Sequence, residues 1–63
     1  MKNKKLYNKC VEECRKVMIM IDYHSDYCAG EDMCRIAVNK TSKGKINYFK
    51  AMTEALRGLG VDV

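Results

Sequence analysis

Proline and tryptophan are absent from the 63 residues, and the chain contains no internal repeat and no low-complexity tract. Without proline, no residue has its φ fixed by a ring or lacks a backbone donor, so long helices can run unbroken. The longest apolar stretch is "VMIMI" at 17–21, flanked by charges. That is far short of the roughly 18 apolar residues a membrane span requires. Basic residues open the chain in "MKNKK", yet no apolar segment or small-residue cleavage site follows them. No secretory leader is therefore expected, and a cytoplasmic location with reduced thiols is. Glycine-based motifs are missing too. "SKGK" lacks the spacing of a phosphate-binding loop, and no oxyanion-hole glycine pattern accompanies the cysteines. These absences argue against a membrane protein and against an enzyme.

What is present describes a small globular domain. The chain is 48% hydrophobic and 32% charged with mean hydropathy −0.38, well away from the composition of disordered segments. A chain this short buries only roughly 60% of its unfolded surface, so its core is marginal. Such domains usually draw on disulfides, a metal, oligomerisation or regular helix packing. The net charge is +4, unevenly distributed. Lys2, Lys4, Lys5 and Lys9 make the beginning basic. Glu12, Glu13, Asp22, Asp26, Glu31 and Asp32 make the middle acidic, and Arg35, Lys40, Lys43, Lys45, Lys50 and Arg57 make the rest basic again. Two basic ends around an acidic middle suit either a polyanion or pairing of the two charge types across a fold or dimer.

The spacing predicts one long amphipathic helix over 4–27. Leu6, Cys10, Cys14, Val17, Ile21, His24 and Cys28 follow one another at steps of three and four, the rhythm of a helix packed on a helix. Tyr7, Val11 and Met18 widen that stripe, and Glu12 with Lys16 forms an i, i+4 charge pair. At 1.5 Å per residue such a helix is about 36 Å long. That exceeds the expected diameter of the globule, so the helix must bend or pack on a partner. Gly30 in "CAGED" is read as the left-handed stop of this helix, with Glu31 and Asp32 opening the next. A short second helix over 31–39 would bury Met33, Cys34, Ala37 and Val38. After the polar loop "NKTSKGK", a third helix starts near Lys45, with Thr41 or Ser42 as alternative caps. Its stripe is Ile46, Phe49, Met52, Thr53, Leu56 and Leu59, and "RGLG" stops it. The expected fold is a single all-α domain over 1–63, a long N-terminal helix plus two shorter ones, completed by dimerisation. A helix, β-hairpin, helix arrangement is the alternative, with "CRIAVN" and "KINYF" as the paired strands.

The cysteines are the residues most suggestive of chemistry. Tetrahedral zinc requires four converging Cys or His ligands. Cys10, Cys14, Cys28 and Cys34, with His24 as a substitute, form the candidate set, but neither pair has the knuckle spacing of strong zinc motifs. Cys14 and Cys28 would lie about 21 Å apart on one continuous helix. Disulfide bonding requires Cα atoms roughly 4.4–6.8 Å apart, and Cys28 with Cys34, flanking a turn, is the more feasible pair. The simplest reading makes the thiols small buried hydrophobes. "YNKCVEEC" together with Cys28 resembles the cysteine-rich four-helix bundles that include copper-storage proteins. That resemblance covers residues 7–28 only. Val17, Ile21 and His24 stand where such helices carry further sulfur, and a cuprous site depends on thiol density. No metal and no other cofactor is therefore expected.

Two surfaces complete the sequence-level picture. Tyr23, Tyr27, Tyr48 and Phe49 form an aromatic group suited to closing the core or to contacting a protein partner. Lys40, Lys43, Lys45 and Lys50 surround the polar loop and would suit phosphate contacts in a nucleic-acid-binding module. The connection before the third helix is longer than a helix-turn-helix allows. The sequence thus favours a non-enzymatic regulator or inhibitor, of the kind phages make against host systems, acting as a homodimer that binds another protein. A basic nucleic-acid module and a Cys-ligated zinc domain are the alternatives.

Overall fold

A computed structural model describes residues 3–21 and 27–63. These residues form three α-helices and no strand: α1 (Lys4–Met20), α2 (Tyr27–Ser42) and α3 (Tyr48–Gly58). The stretches considered for a hairpin fall inside α2 and across the approach to α3. The Cα radius of gyration is 10.6 Å and the molecule measures 34 × 20 × 15 Å. No helix among the described residues is long and apolar enough to cross a membrane.

Helix boundaries depart from the sequence expectation at the end of α1, at both ends of α2 and at the start of α3, which begins at Tyr48 rather than near Lys45. The first helix ends at Met20, with Ile21 as its cap residue, so it is about 25 Å long and fits within the molecule. The length argument for a bend or a partner thereby falls away. The second helix begins at Tyr27 and is 16 residues long, against 17 for the first. Gly30 does not stop a helix; it lies inside α2, buried against α1. A Cβ there would stand 2.6 Å from Ile21 Cδ1 and 2.9 Å from Met18 Sδ. The missing side chain leaves room for Met18 and Ile21 to pack on α2, and that tertiary gain offsets the roughly 1 kcal/mol that glycine costs inside a helix. Glu31 and Asp32 consequently sit beyond the first turn. Asp32 pairs with Arg35 at 3.0 Å, and Glu31 accepts a hydrogen bond from Tyr48 Oη at 3.4 Å. Lys16 pairs with Glu13 at 3.4 Å rather than with Glu12.

The connection from α2 to α3 follows from local chemistry. Ser42 does not cap α3; buried at the end of α2, its hydroxyl donates back to the Val38 carbonyl at 2.7 Å. Lys43 and Gly44 then take positive φ, 55° and 81°, and turn the chain. Asn47 caps α3, its side chain accepting from the backbone N–H of Phe49 at 2.9 Å and of Lys50 at 3.4 Å. The far end of α3 closes as a Schellman motif. Val61 N–H donates to the Leu56 carbonyl at 3.0 Å and Gly60 N–H to that of Arg57 at 3.1 Å, with Gly60 at φ 89°.

One core joins the three helices. It consists of Cys10, Val11, Cys14 and Met18 from α1, Cys34 and Val38 from α2, and Ala51, Met52, Ala55 and Leu56 from α3. The buried face of α1 is therefore turned toward Val11 and Met18, leaving Val17 half-buried. On α3 the expected stripe is rotated: Met52 and Leu56 are buried, but Phe49 is exposed and Thr53 half-buried, their places taken by Ala51 and Ala55. Those small residues admit close helix approach. Among the described residues no buried side-chain polar atom lacks a hydrogen-bond partner.

Candidate functional site

Two clefts flank α1. The first lies between α1 and α2 and is lined by Glu13, Val17, Met33, Ile36, Ala37, Lys40 and Thr41, with a volume of about 340 Å³. α3 supplies no wall of it. Its α2 residues, Met33, Ile36, Ala37, Lys40 and Thr41, stand at i, i+3, i+4, i+7 and i+8, one face of a helix. Ile36 is 52% exposed there. The floor is apolar, and one acid and one base stand on the walls. The second cleft, about 370 Å³, lies between α1 and α3 and is lined by Tyr7, Phe49, Lys50, Thr53, Glu54 and Arg57. Tyr7 Oη donates to the Glu54 carboxylate across it. That bond to an anion, reinforced by partial burial and the charge of Glu54, holds the Tyr7 phenol protonated up to about 12, from an ordinary value of 10.0.

The aromatic residues do not act as one group. Tyr48 is half-buried against the core, donates to Glu31 and meets Phe49 edge-on, ring centroids 6.4 Å apart. Phe49 is 53% exposed and lines the α1–α3 cleft. Tyr27 opens α2, and Tyr23 and His24 lie outside the described residues. The four lysines divide as well. Lys40 stands on the α1–α2 cleft, Lys50 on the α1–α3 cleft, and Lys43 and Lys45 are exposed in the turn between.

The cysteines separate into one exposed thiol and three buried ones: Cys28 is exposed, while Cys10, Cys14 and Cys34 are fully buried. Because α2 runs continuously through both, Cys28 and Cys34 are separated by about 9 Å along the helix axis, beyond disulfide reach. The expectation of that pair is overturned. Across the antiparallel α1–α2 seam, Met18 meets Gly30 and, one turn along both helices, Cys14 meets Cys34; Cys10, a further turn along α1, lies near Ser42. Cys34 Sγ donates to the Cys14 carbonyl at 3.7 Å, which puts the two buried thiols close enough to influence each other's ionisation. The neighbouring Cys14 thiol favours a thiolate on Cys34 and shifts that thiol's pKa downward, against the opposing effect of burial. The same partnership, with burial, drives Cys14 strongly upward. Burial also raises Cys10, partly offset by the Ser42 hydroxyl. Among the described residues no three His, Cys, Asp or Glu side chains are grouped as a metal site.

The α1–α2 cleft went unread in the sequence because Met33 and Ala37 were assigned to the core. The available signal was a surplus: α2 carries more apolar positions than one core-facing stripe can use. No family model matches the chain, and no curated protein or solved structure matches it at a significant level.

Proposed function

We propose that this chain is a non-enzymatic regulatory protein that works by holding an amphipathic helix of another protein in its α1–α2 cleft. The observation that carries the reading is the half-exposed Ile36 at the centre of an apolar face that α3 leaves uncovered. A helix laid in a groove offers i, i+3, i+4 anchors to such a floor. Glu13 and Lys40 favour a guest with a cation beside the first and a carboxylate beside the second, which fixes its direction. The lining supplies contact area and two charges, the chemistry of recognition. A second copy of the chain carries the same pairing of acid and base, so self-association is the competing occupant.

Affinity capture with the native chain and with Ile36→Asp as baits tests the reading. A protein retained by the first and lost from the second, with the helical content of both unchanged, is the expected result. Identical retained sets would remove the cleft from consideration. Light scattering of the free protein decides the competing occupant. A particle of 7.3 kDa excludes the homodimer, whereas a dimer dissolved by Ile36→Asp would assign the cleft to the second copy.

A further inference from the structure

We propose that Cys14 and Cys34 are a modification site: exposed to a hydroperoxide, they close a reversible disulfide that pins α1 to α2. The pair is built by the fold. One turn away, Gly30 makes room for the ends of the Ile21 and Met18 side chains, since even a methyl group there would collide with them. The short thiol side chains fill the next rung of the same seam, with Cys34 Sγ 3.7 Å from the Cys14 carbonyl oxygen. Both are fully buried, so neither can meet a thiol of a second molecule without opening the core. Cys10 lies a turn farther along beside Ser42, and Cys28 is on the outside of α2.

The chemistry balances with hydrogen peroxide as oxidant. In a local opening of the seam that admits water and peroxide, Cys34 loses its proton to water, the favoured ionisation of the pair because the Cys14 thiol lies near it. Its sulfur attacks one peroxide oxygen, the O–O bond breaks, and the departing hydroxide takes up a proton to become water. The resulting sulfenic acid sits against the second thiol. Cys14 sulfur attacks the Cys34 sulfur, the S–S bond forms as the S–O bond breaks, and the hydroxyl leaves with the Cys14 proton as a second water. Each sulfur gives up one electron and the peroxide accepts both. Peroxide is small enough to enter through a local opening of the seam, which a bulky alkylating reagent is not. A dithiol such as reduced dithiothreitol reverses the bond by exchange.

The test uses the full chain and a Cys28→Ser variant, which removes the exposed thiol and its intermolecular products. After peroxide treatment, the protein is unfolded in urea with an alkylating reagent and the blocked thiols are mapped by mass spectrometry. Cleavage at Glu12 and Glu13 separates Cys10 from Cys14. The expected product is a monomer lighter by two hydrogens, with Cys14 joined to Cys34 and Cys10 free for alkylation. Its folding equilibrium constant should rise about 100-fold through the entropy removed from an unfolded chain closed over this loop, and return with dithiothreitol. Three alkylatable thiols at a dose that oxidises Cys28 in the native chain would overturn the proposal. A bond to Cys10, or a cross-linked product less stable than the reduced chain, would overturn it equally.

Discussion

Replacing Gly30 by alanine sets two effects of opposite sign against each other, and the structure says which prevails. Taken as a helix position alone, Gly30→Ala should stabilise by about 1 kcal/mol, because alanine loses less backbone entropy on entering a helix. The added Cβ, however, arrives 2.6 Å from Ile21 Cδ1 and 2.9 Å from Met18 Sδ, where ordinary contact begins at 3.4 Å. Met18 is fully buried and cannot swing into solvent. Overpacking of this kind typically costs about 1–3 kcal/mol, so the net effect should be a loss of about 1 kcal/mol. In a domain of this size that corresponds to roughly 4–8 °C in melting temperature. Gly58→Ala is the control. Its Cβ would meet only Arg15 Nη2 at 2.8 Å, the end of an exposed side chain that can move away, so this variant should be neutral or slightly stabilising. Urea unfolding followed by far-ultraviolet circular dichroism measures both. An Ile21→Ala background completes the cycle: with the closest contact gone, the loss caused by Gly30→Ala should shrink, the Met18 contact at 2.9 Å remaining. A Gly30→Ala midpoint that rises as much as that of Gly58→Ala would refute the packing of Met18 and Ile21 on Gly30.

The cap and the cross-cleft bond make two further tests. Asn47→Ala removes the acceptor for the Phe49 and Lys50 amides and should cost about 1 kcal/mol in the same urea assay. Asn47→Asp should retain most of that stability, and an equal loss in both variants would argue against a cap. Tyr7, whose phenol is raised to about 12, favours folding while it stays protonated. Its contribution is complete below its unfolded value of 10.0 and is lost as pH climbs toward 12. Titration by phenolate absorbance should show one late tyrosine that disappears in Tyr7→Phe, and that variant should lose less stability than the native chain over the same pH interval. A native chain whose absorbance titration is unchanged in its late part by Tyr7→Phe would contradict the Tyr7–Glu54 bond.

Much of the architecture was legible in the residues themselves. The three- and four-residue spacing from Leu6 to Ile21, the absence of proline and the apolar positions of α3 specify helices, because amphipathic periodicity is a local property of the chain. The stop at "RGLG" was equally readable, since a glycine at positive φ after a helix has few other uses. Cys10 and Cys14 were correctly placed on a buried helix seam. What the sequence could not assign was partnership. Gly30 is chemically a turn residue and sterically a packing residue, and only the position of Met18 and Ile21 selects the second role. The same choice extended α2 back to Tyr27, separated Cys28 from Cys34 and brought Cys34 to Cys14. Met33, Ile36 and Ala37 are apolar in any reading, yet whether they face a core or an open cleft depends on where α3 docks. Local sequence therefore determined which segments are helical and which faces are apolar. The docking of the helices decided which of those faces remains uncovered and which thiols meet, because both are properties of pairs of elements distant along the chain.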